Sequence, residues 1–470
     1  MLPVARKDCA YRQRRCMFSA VMATQDATFH GSSAERRRQG QALRKKVRRQ
    51  SHGEWSAKLR RHDPLELLAQ SMKGRVASLV PLKYERMMAS PFGFFRGAVP
   101  VMAADLSLVP SPGIVNQICG DAHVRNLGAF AAPDGRLVFD INDFDETTRA
   151  PFEWDLKRLA TSLILAAREA GDSARDAHDA VLAFLAQYRR YARMFAEMPV
   201  LEVARYQVHR MAKASLISGV LMKAERATPQ HTLQELTTAL KTGGRVFREE
   251  RPVLWRVKGA TARVVMATLR EYSESLLPER RHILAQYRPV DVCFKVVGTG
   301  SVGTRDYCIY LEGNGESDPL FLQMKEEPGS AYRPYVGDAE AAVHGGREVA
   351  EGQRAMQMQS DPFLGWTSME GRDYLVRQLN DHKASIDVAD LKGAGLVAYA
   401  ELCGELLARG HARSGDVQTI IGYIGNGGGF STALARFAAA YADQTESDWQ
   451  LLCKTRKPPK LRLPRKTSRK

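Results

Sequence analysis

Two stretches decide the reading of this chain: CGDAHVRNLGAF (residues 119–130) and GRLVFDINDFDETTRAPFEWDLKRLA (135–160). In the first, Asp121 and Asn126 share a short loop that follows the strand-like IVNQICG (114–120). In the second, a strand-like run leads to Asp143, and Asp155 follows where helical periodicity begins. Phosphoryl transfer asks little covalent chemistry of a protein. It needs a carboxylate to orient or deprotonate the attacking hydroxyl, and oxygen ligands to hold Mg²⁺ against the phosphates. Asp121 is the expected base, and Asn126 and Asp143, both hard oxygen donors, are the expected metal ligands. Asp155 is expected to open a helix and brace the loop. His123 reads as a buried hydrogen-bonding residue.

Further along, VDVCFKVVGTGSVGTRDYCIYLEG (290–313) places Gly298, Gly300, Ser301 and Gly303 between two strand patterns. A dinucleotide-binding fingerprint would open a helix at this point. A strand–glycine loop–strand hairpin fits instead the loop that covers ATP phosphates in kinases, where glycines let backbone N–H groups approach the phosphates. Lys325 ends the next strand, in DPLFLQMKEE (318–327), and is expected on the phosphates. Its expected partner is Glu351 on the helix GGREVAEGQRAMQ (345–357), with Glu348 as the alternative. RDYLVRQLN (372–380) then reads as a hinge strand facing adenine.

Gly120-Asp121-Ala122-His123-Val124-Arg125-Asn126, then Asp143-Phe144, then Asp155-Leu156 resemble the active-site segment of aminoglycoside phosphotransferases and related small-molecule kinases. The likeness covers roughly 40 residues, with three pieces agreeing in order, a specificity that single short motifs lack. It departs in the longer Asn126-to-Asp143 gap, with Asp140 and Asp145 close by; the step to Asp155 favours Asp143 as the ligand. The likeness implies a protein-kinase-like two-lobed α+β fold, with ATP and Mg²⁺ as cofactors. The pieces are out of the usual order, since the Asp121 loop precedes the glycine loop. A circular permutation is therefore expected, and it requires Lys325 within ~15 Å of Asp143, the scale of a ligand pocket. From about residue 40 to 452 the chain also resembles the bacterial domain of unknown function 2252 family, through RMMASPFGFFRGA (86–98), GDAHVRNLG (120–128), GTGSVGTR (298–305), DPFLGW (361–366) and ARGHARSGD (408–416). Within these stretches Arg96 and Arg305 stand out as possible phosphate forks or structural ion pairs.

The expected organisation is a basic, mostly disordered tail (1–60), a mainly helical large lobe (61–285), a β-rich small lobe (286–385), C-terminal helices returning to the large lobe (386–453), and a second basic tail (454–470). The chain's +17 charge sits in its ends: residues 1–60 carry +11 and 454–470 carry +9, which leaves the body at −3. Such tails allow weak contact with nucleic acid or an anionic surface. The odd count of seven Cys, with no CxxC, fits a reducing compartment, and the cytoplasm is the expected location. No apolar run is long enough to span a membrane. The expected function is an ATP-dependent phosphotransferase acting on an unknown acceptor. Nucleotidyl transfer on the same parts, a non-catalytic ATP-binding scaffold, and a nucleic-acid-associated protein acting through its tails are the rivals.

Overall fold

The computed structural model describes residues 31–132, 135–206, 214–337, 343–379, 384–385 and 391–456. The first helix, α1 (Ser33–Lys46), starts on a full capping box in which the Ser32 side chain and Glu35 satisfy each other's backbone N–H. Two short helices, α2 (Val80–Met88) and α3 (Pro91–Gly97), each carry proline in the first turn. β1 (Val115–Ile118) leads into the Asp121 loop. β2 (Leu127–Ala131) and β3 (Leu137–Ile141) form a hairpin, and β4 (Thr148–Pro151) runs back antiparallel to β1. The long helices α4 (Glu153–Ala170) and α5 (Ala174–Glu197) follow. Next come β5 (Leu254–Val257), α6 (Gly259–Glu274), β6 (Arg288–Lys295), β7 (Asp306–Glu312) and β8 (Pro319–Glu326). Helix α7 (Gly345–Met356) connects β8 to the pair β9 (Gly365–Met369) and β10 (Arg372–Gln378). The described chain ends with α8 (Ala394–Ser414), α9 (Val417–Ile424) and α10 (Gly429–Thr455).

The six strands β5 to β10 form one sheet in the order β9-β10-β8-β7-β6-β5, every neighbouring pair antiparallel. Its inner face builds one core, in which Val292, Ile309, Leu322, Met324 and Tyr374 pack with Val265 and Tyr272 of α6. A second, larger core lies among α4, α5, α8 and α10, with Leu163, Phe184, Leu406 and Phe437 fully buried. One core is thus built on an antiparallel sheet with helix α6 against it and the other mainly on helices, an α+β arrangement. Among the described residues, no helix is long and apolar enough to cross a membrane.

Two expectations are corrected. Residues 32–60 are not a disordered tail; Met1–His30 and residues 457–470 lie outside the described residues. Arginines of α1 and the turn after it are spent on both ends of α9. Arg44 Nε donates to the Tyr423 carbonyl at 2.9 Å and Arg49 Nη1 to that of Ile424 at 2.8 Å, satisfying carbonyls that a helix end leaves open. Arg36 pairs with Asp416 at 2.8 Å. The two helices touch through glycines rather than large apolar groups, which is why composition hid the packing. A Cβ on Gly40 would stand 2.1 Å from the Thr419 carbonyl oxygen. Gly40→Val is expected to destabilise the fold by about 3 kcal/mol, read as a lower urea midpoint at unchanged slope. The second correction concerns LQELTTALKTGGRVFREE (233–250), which lies in the region 61–285 expected to be mainly helical and whose apolar spacing reads as helix. It leaves its helix at Leu236, and Thr237–Ala239 pairs antiparallel with Arg245–Phe247. Gly243 and Gly244, at φ +86° and +81°, make the turn that a helix pattern cannot accommodate.

Candidate active site

The Asp121 loop is held from below by the first turn of α4. Asp155 Oδ2 accepts from the Cys119 N–H at 2.9 Å and Oδ1 from the Gly120 N–H at 3.0 Å, while His411 Nε2 lies 3.3 Å from Oδ2. One turn on, at i+3 and on the same side of the helix, Arg158 reaches the loop itself. Its Nε and Nη2 both donate to Asp121 Oδ1, at 2.8 and 2.5 Å. Arg158 is fully buried, with Phe95 O and Met102 Sδ as further partners and the Phe95 ring beneath it. Burial alone would raise the Asp121 carboxyl, but the Arg158 guanidinium outweighs it and holds the group below its ordinary range. Asp121 is therefore held as a carboxylate.

Asn126 ties this loop to the next. Its Nδ2 donates to Asp121 O at 3.0 Å and Asp143 O at 2.8 Å, while its Oδ1 is buried and accepts no hydrogen bond among the described residues. Asp143 is half-exposed. Its carboxylate lies 4.0 Å from Lys325 Nζ, which comes from the far end of the chain on β8. Lys325 is only 2% exposed. It donates to Asp145 Oδ2 and lies 3.9 Å from Glu327. Burial would lower the Lys325 ammonium, but the Asp143, Asp145 and Glu327 carboxylates push it well up, so it stays charged. Asp145 is raised by burial and by its like-charged neighbour Asp143, and Glu327 is raised by burial and by Asp145.

The sequence expectation for Glu351 is corrected. Glu351 is half-exposed and pairs with Arg347 one helical turn away, at 2.8 Å. Glu348 accepts from Thr148 at 3.0 Å and faces Arg333. Neither glutamate reaches Lys325; Asp145, from the loop after β3, supplies that carboxylate. Asp140 is also removed as a candidate ligand, since it is buried against Arg409 of α8. Arg305 is engaged by Glu326 at 3.0 Å.

The glycine loop joins β6 to β7, and basic residues of the segment 75–86 hold it by its carbonyls. Lys83 Nζ donates to Gly300 O at 2.5 Å and Thr299 O at 3.3 Å, Arg75 to Val302 O at 2.8 Å, and Arg86 to Gly298 O. Gly298 and Gly303 have φ of +60° and +91°, and the Ser301 hydroxyl donates back to Val297 O at 3.3 Å. Nothing in the sequence singled out Lys83, although an apolar helix carrying one fully buried lysine is uncommon. A small cleft of about 30 Å³ opens where the end of β10, the β2–β3 hairpin and α7 meet, lined by Phe130, Asn142, Gln353, Gln357, Arg377 and Gln378 among others. Among the described residues, no group of three or more His, Cys, Asp or Glu is placed to hold a metal.

A family model described as an uncharacterized protein conserved in bacteria, domain of unknown function 2252, matches residues 75–455. The comparisons with curated proteins and with solved structures returned no match. The match takes in the Asp121 loop, the glycine loop, Lys325 and α8, and the chain belongs to the domain of unknown function 2252 family.

Proposed function

We propose that this protein is an ATP-dependent phosphotransferase with a circularly permuted, kinase-like arrangement of its parts. The observation that carries the reading is the meeting of Lys325 with the Asp143 loop, 4.0 Å apart. Two motif sets from distant parts of the chain converge there, and the permuted arrangement requires that. The sheet adds support. The strand–glycine loop–strand pair β6–β7 is followed by β8 with its lysine, then by α7 and β9–β10, and β10 lies beside β8. In kinases too the lysine is on the third strand and a helix follows.

The donor set suits a hard cation. Among the described residues, Asn126 Oδ1 is a buried acceptor without a hydrogen-bond partner, and Asp143 offers a half-exposed carboxylate 4.0 Å from Lys325. Mg²⁺ keeps water and phosphate ligands and takes only one or two protein oxygens, so Asn126 and Asp143 suffice. When bound, Mg·ATP supplies the phosphoryl group and the cation that offsets its charge. The remaining work belongs to the chain. Lys325, fixed by Asp145, presents a positive charge to phosphate oxygens. Arg158 fixes the rotamer and charge of Asp121, and Asp121 orients the attacking hydroxyl. Asn126 keeps the two loops in register.

Thermal unfolding with Mg·ATP, with ATP plus chelator, and with NAD tests this. Mg·ATP alone is expected to raise the melting temperature, by an amount equivalent to about 2.7 kcal/mol at a hundredfold excess over Kd. Asp143→Asn is expected to lose most of that gain while folding normally, because its carboxylate is half-exposed. No response to any nucleotide would sink the reading.

A further inference from the structure

Basic groups meet acids in both halves of this site. Around Lys325, three carboxylates face the ammonium, and the Arg377 guanidinium bears on the same acids. Around Asp121, the basic residues Arg158, Arg96 and Lys83 gather with Asp121 and Glu146, and burial pushes the Lys83 ammonium well down. Two of those basic groups are already used. Arg158 is fully buried against Asp121, and Lys83 is fully buried on the glycine-loop carbonyls.

Arg96 differs. It lies on α3, and among the described residues its one hydrogen-bonding contact is Nε to His123 Nε2, at 3.4 Å. That contact is poor for a further reason. His123 Nδ1 accepts from the Arg125 N–H at 3.2 Å, so the neutral ring carries its proton on Nε2, which faces Asp121 Oδ2 at 3.6 Å. A nitrogen bearing its own proton cannot accept from Arg96. Arg96 is thus a half-buried guanidinium that borders the proposed base without a good acceptor, and burial lowers it while Asp121 and Asp143 support its charge. Its backbone carbonyl also lies 3.6 Å from where a Gly300 Cβ would stand, which puts α3 between the glycine loop and Asp121.

We propose that the phosphate acceptor is an alcohol bearing an oxyanion, its hydroxyl at Asp121 and its carboxylate or phosphate on the Arg96 guanidinium; this rests on the phosphotransferase reading above. A planar guanidinium fork matches such oxyanions, and a neutral polyol would leave a half-buried cation unmatched. An aminated acceptor would meet like charge. In the transfer, the acceptor oxygen bonds to the γ-phosphorus of a nucleoside triphosphate as the bond from that phosphorus to the bridging oxygen breaks. The electron pair leaves with the nucleoside diphosphate, and the hydroxyl proton passes to Asp121 and on to solvent.

The test is thermal unfolding of the full chain with Mg·ADP, adding glycerol phosphate, glycerate, glycerol or ethanolamine, in wild type, Arg96→Met and Arg96→Lys. Glycerol phosphate or glycerate is expected to add a further upward shift, and whichever acts more strongly tells phosphate from carboxylate. Glycerol and ethanolamine are expected to add none. Arg96→Met is expected to weaken the anion's apparent affinity about tenfold or more, the scale of one charged hydrogen-bonded contact. It is expected to keep the Mg·ADP shift. Arg96→Lys keeps the charge without the fork, should fall between, and serves if the Met variant does not fold. The proposal is overturned if no anion binds, if ethanolamine acts equally, if Arg96→Met leaves the anion response intact, or if Arg96→Met abolishes the Mg·ADP shift, which would make Arg96 a nucleotide ligand. An Arg96-dependent anion response with no Mg·ADP response in any chain would sink the phosphotransferase reading and leave the oxyanion subsite standing.

Discussion

Replacing Lys325 by Met is expected to destabilise the protein by about 3–5 kcal/mol at pH 8, the usual consequence of leaving buried charges uncompensated. Lys325 is almost fully buried with Asp143, Asp145 and Glu327 around its ammonium. Methionine fills similar volume, so the effect is electrostatic rather than a cavity. The pH dependence identifies its origin. The folded Lys325 is raised above its ordinary value, so its own contribution is fully present below about pH 10.5 and is constant between pH 5 and 8. Asp145 and Glu327 are already raised by burial, and without the lysine they rise further. A carboxyl raised on folding costs stability that grows as pH rises through its folded value and vanishes as pH falls toward its unfolded value, about 4. The deficit of Lys325→Met should therefore be largest at pH 8 and shrink markedly by pH 5. Urea unfolding of both chains at the two pH values decides it. An equal deficit at both would mean that packing, not charge, explains Lys325.

The same cluster marks how far the sequence could be read. The structure brings Asp121, Asn126, Asp143, Asp155 and Lys325 together, and the sequence could point to that meeting because each sits at a fixed offset from a strand or helix end, and chain geometry carries such offsets directly into space. Asp155 bracing the Asp121 loop follows from a carboxylate at a helix start. The partner of Lys325 was not nameable, because ion pairing across a cleft depends on which of several nearby acids the backbone aims inward. Asp145, one residue beyond the buried Phe144, is aimed at Lys325, whereas Glu351 on an amphipathic helix falls on the solvent side and finds Arg347. Lys83 and the first basic segment were missed for another reason. Their partners are backbone carbonyls, at Gly300 and at Tyr423, which every residue possesses and no side-chain pattern advertises. Composition alone made α1 look like a solvated tail, since its contact with α9 runs through Gly40 and Gly422 rather than through large apolar groups.

Gly120→Ala is expected to be the most damaging single-methyl change at the site, costing about 3 kcal/mol or more where a matched control loses about 1–2. Gly120 has φ +77°, a left-handed conformation that alanine disfavours. Gly171, the C-terminal cap after α4, has φ +78°, and a Cβ there would meet nothing within 4 Å. Gly171→Ala therefore measures the conformational term by itself. At Gly120 the added Cβ would stand 1.9 Å from the Glu146 carbonyl oxygen and 2.5 Å from its carbonyl carbon, backbone atoms that cannot swing aside. Either the Asp121 loop or the loop 143–147 must move. The first is held by Asp155 through the Cys119 and Gly120 N–H groups, and the second by Lys325 through Asp145 and by Ser330, whose hydroxyl donates to Glu146 O at 2.8 Å. Whichever yields, Asp121 and Asp143 lose the register that Asn126 sets between them. The excess loss over Gly171→Ala should thus come with loss of the Mg·ATP response in the protein that still folds. Equal melting temperatures for Gly120→Ala and Gly171→Ala, with the nucleotide response intact, would mean that the two loops are not in the close contact on which the site depends.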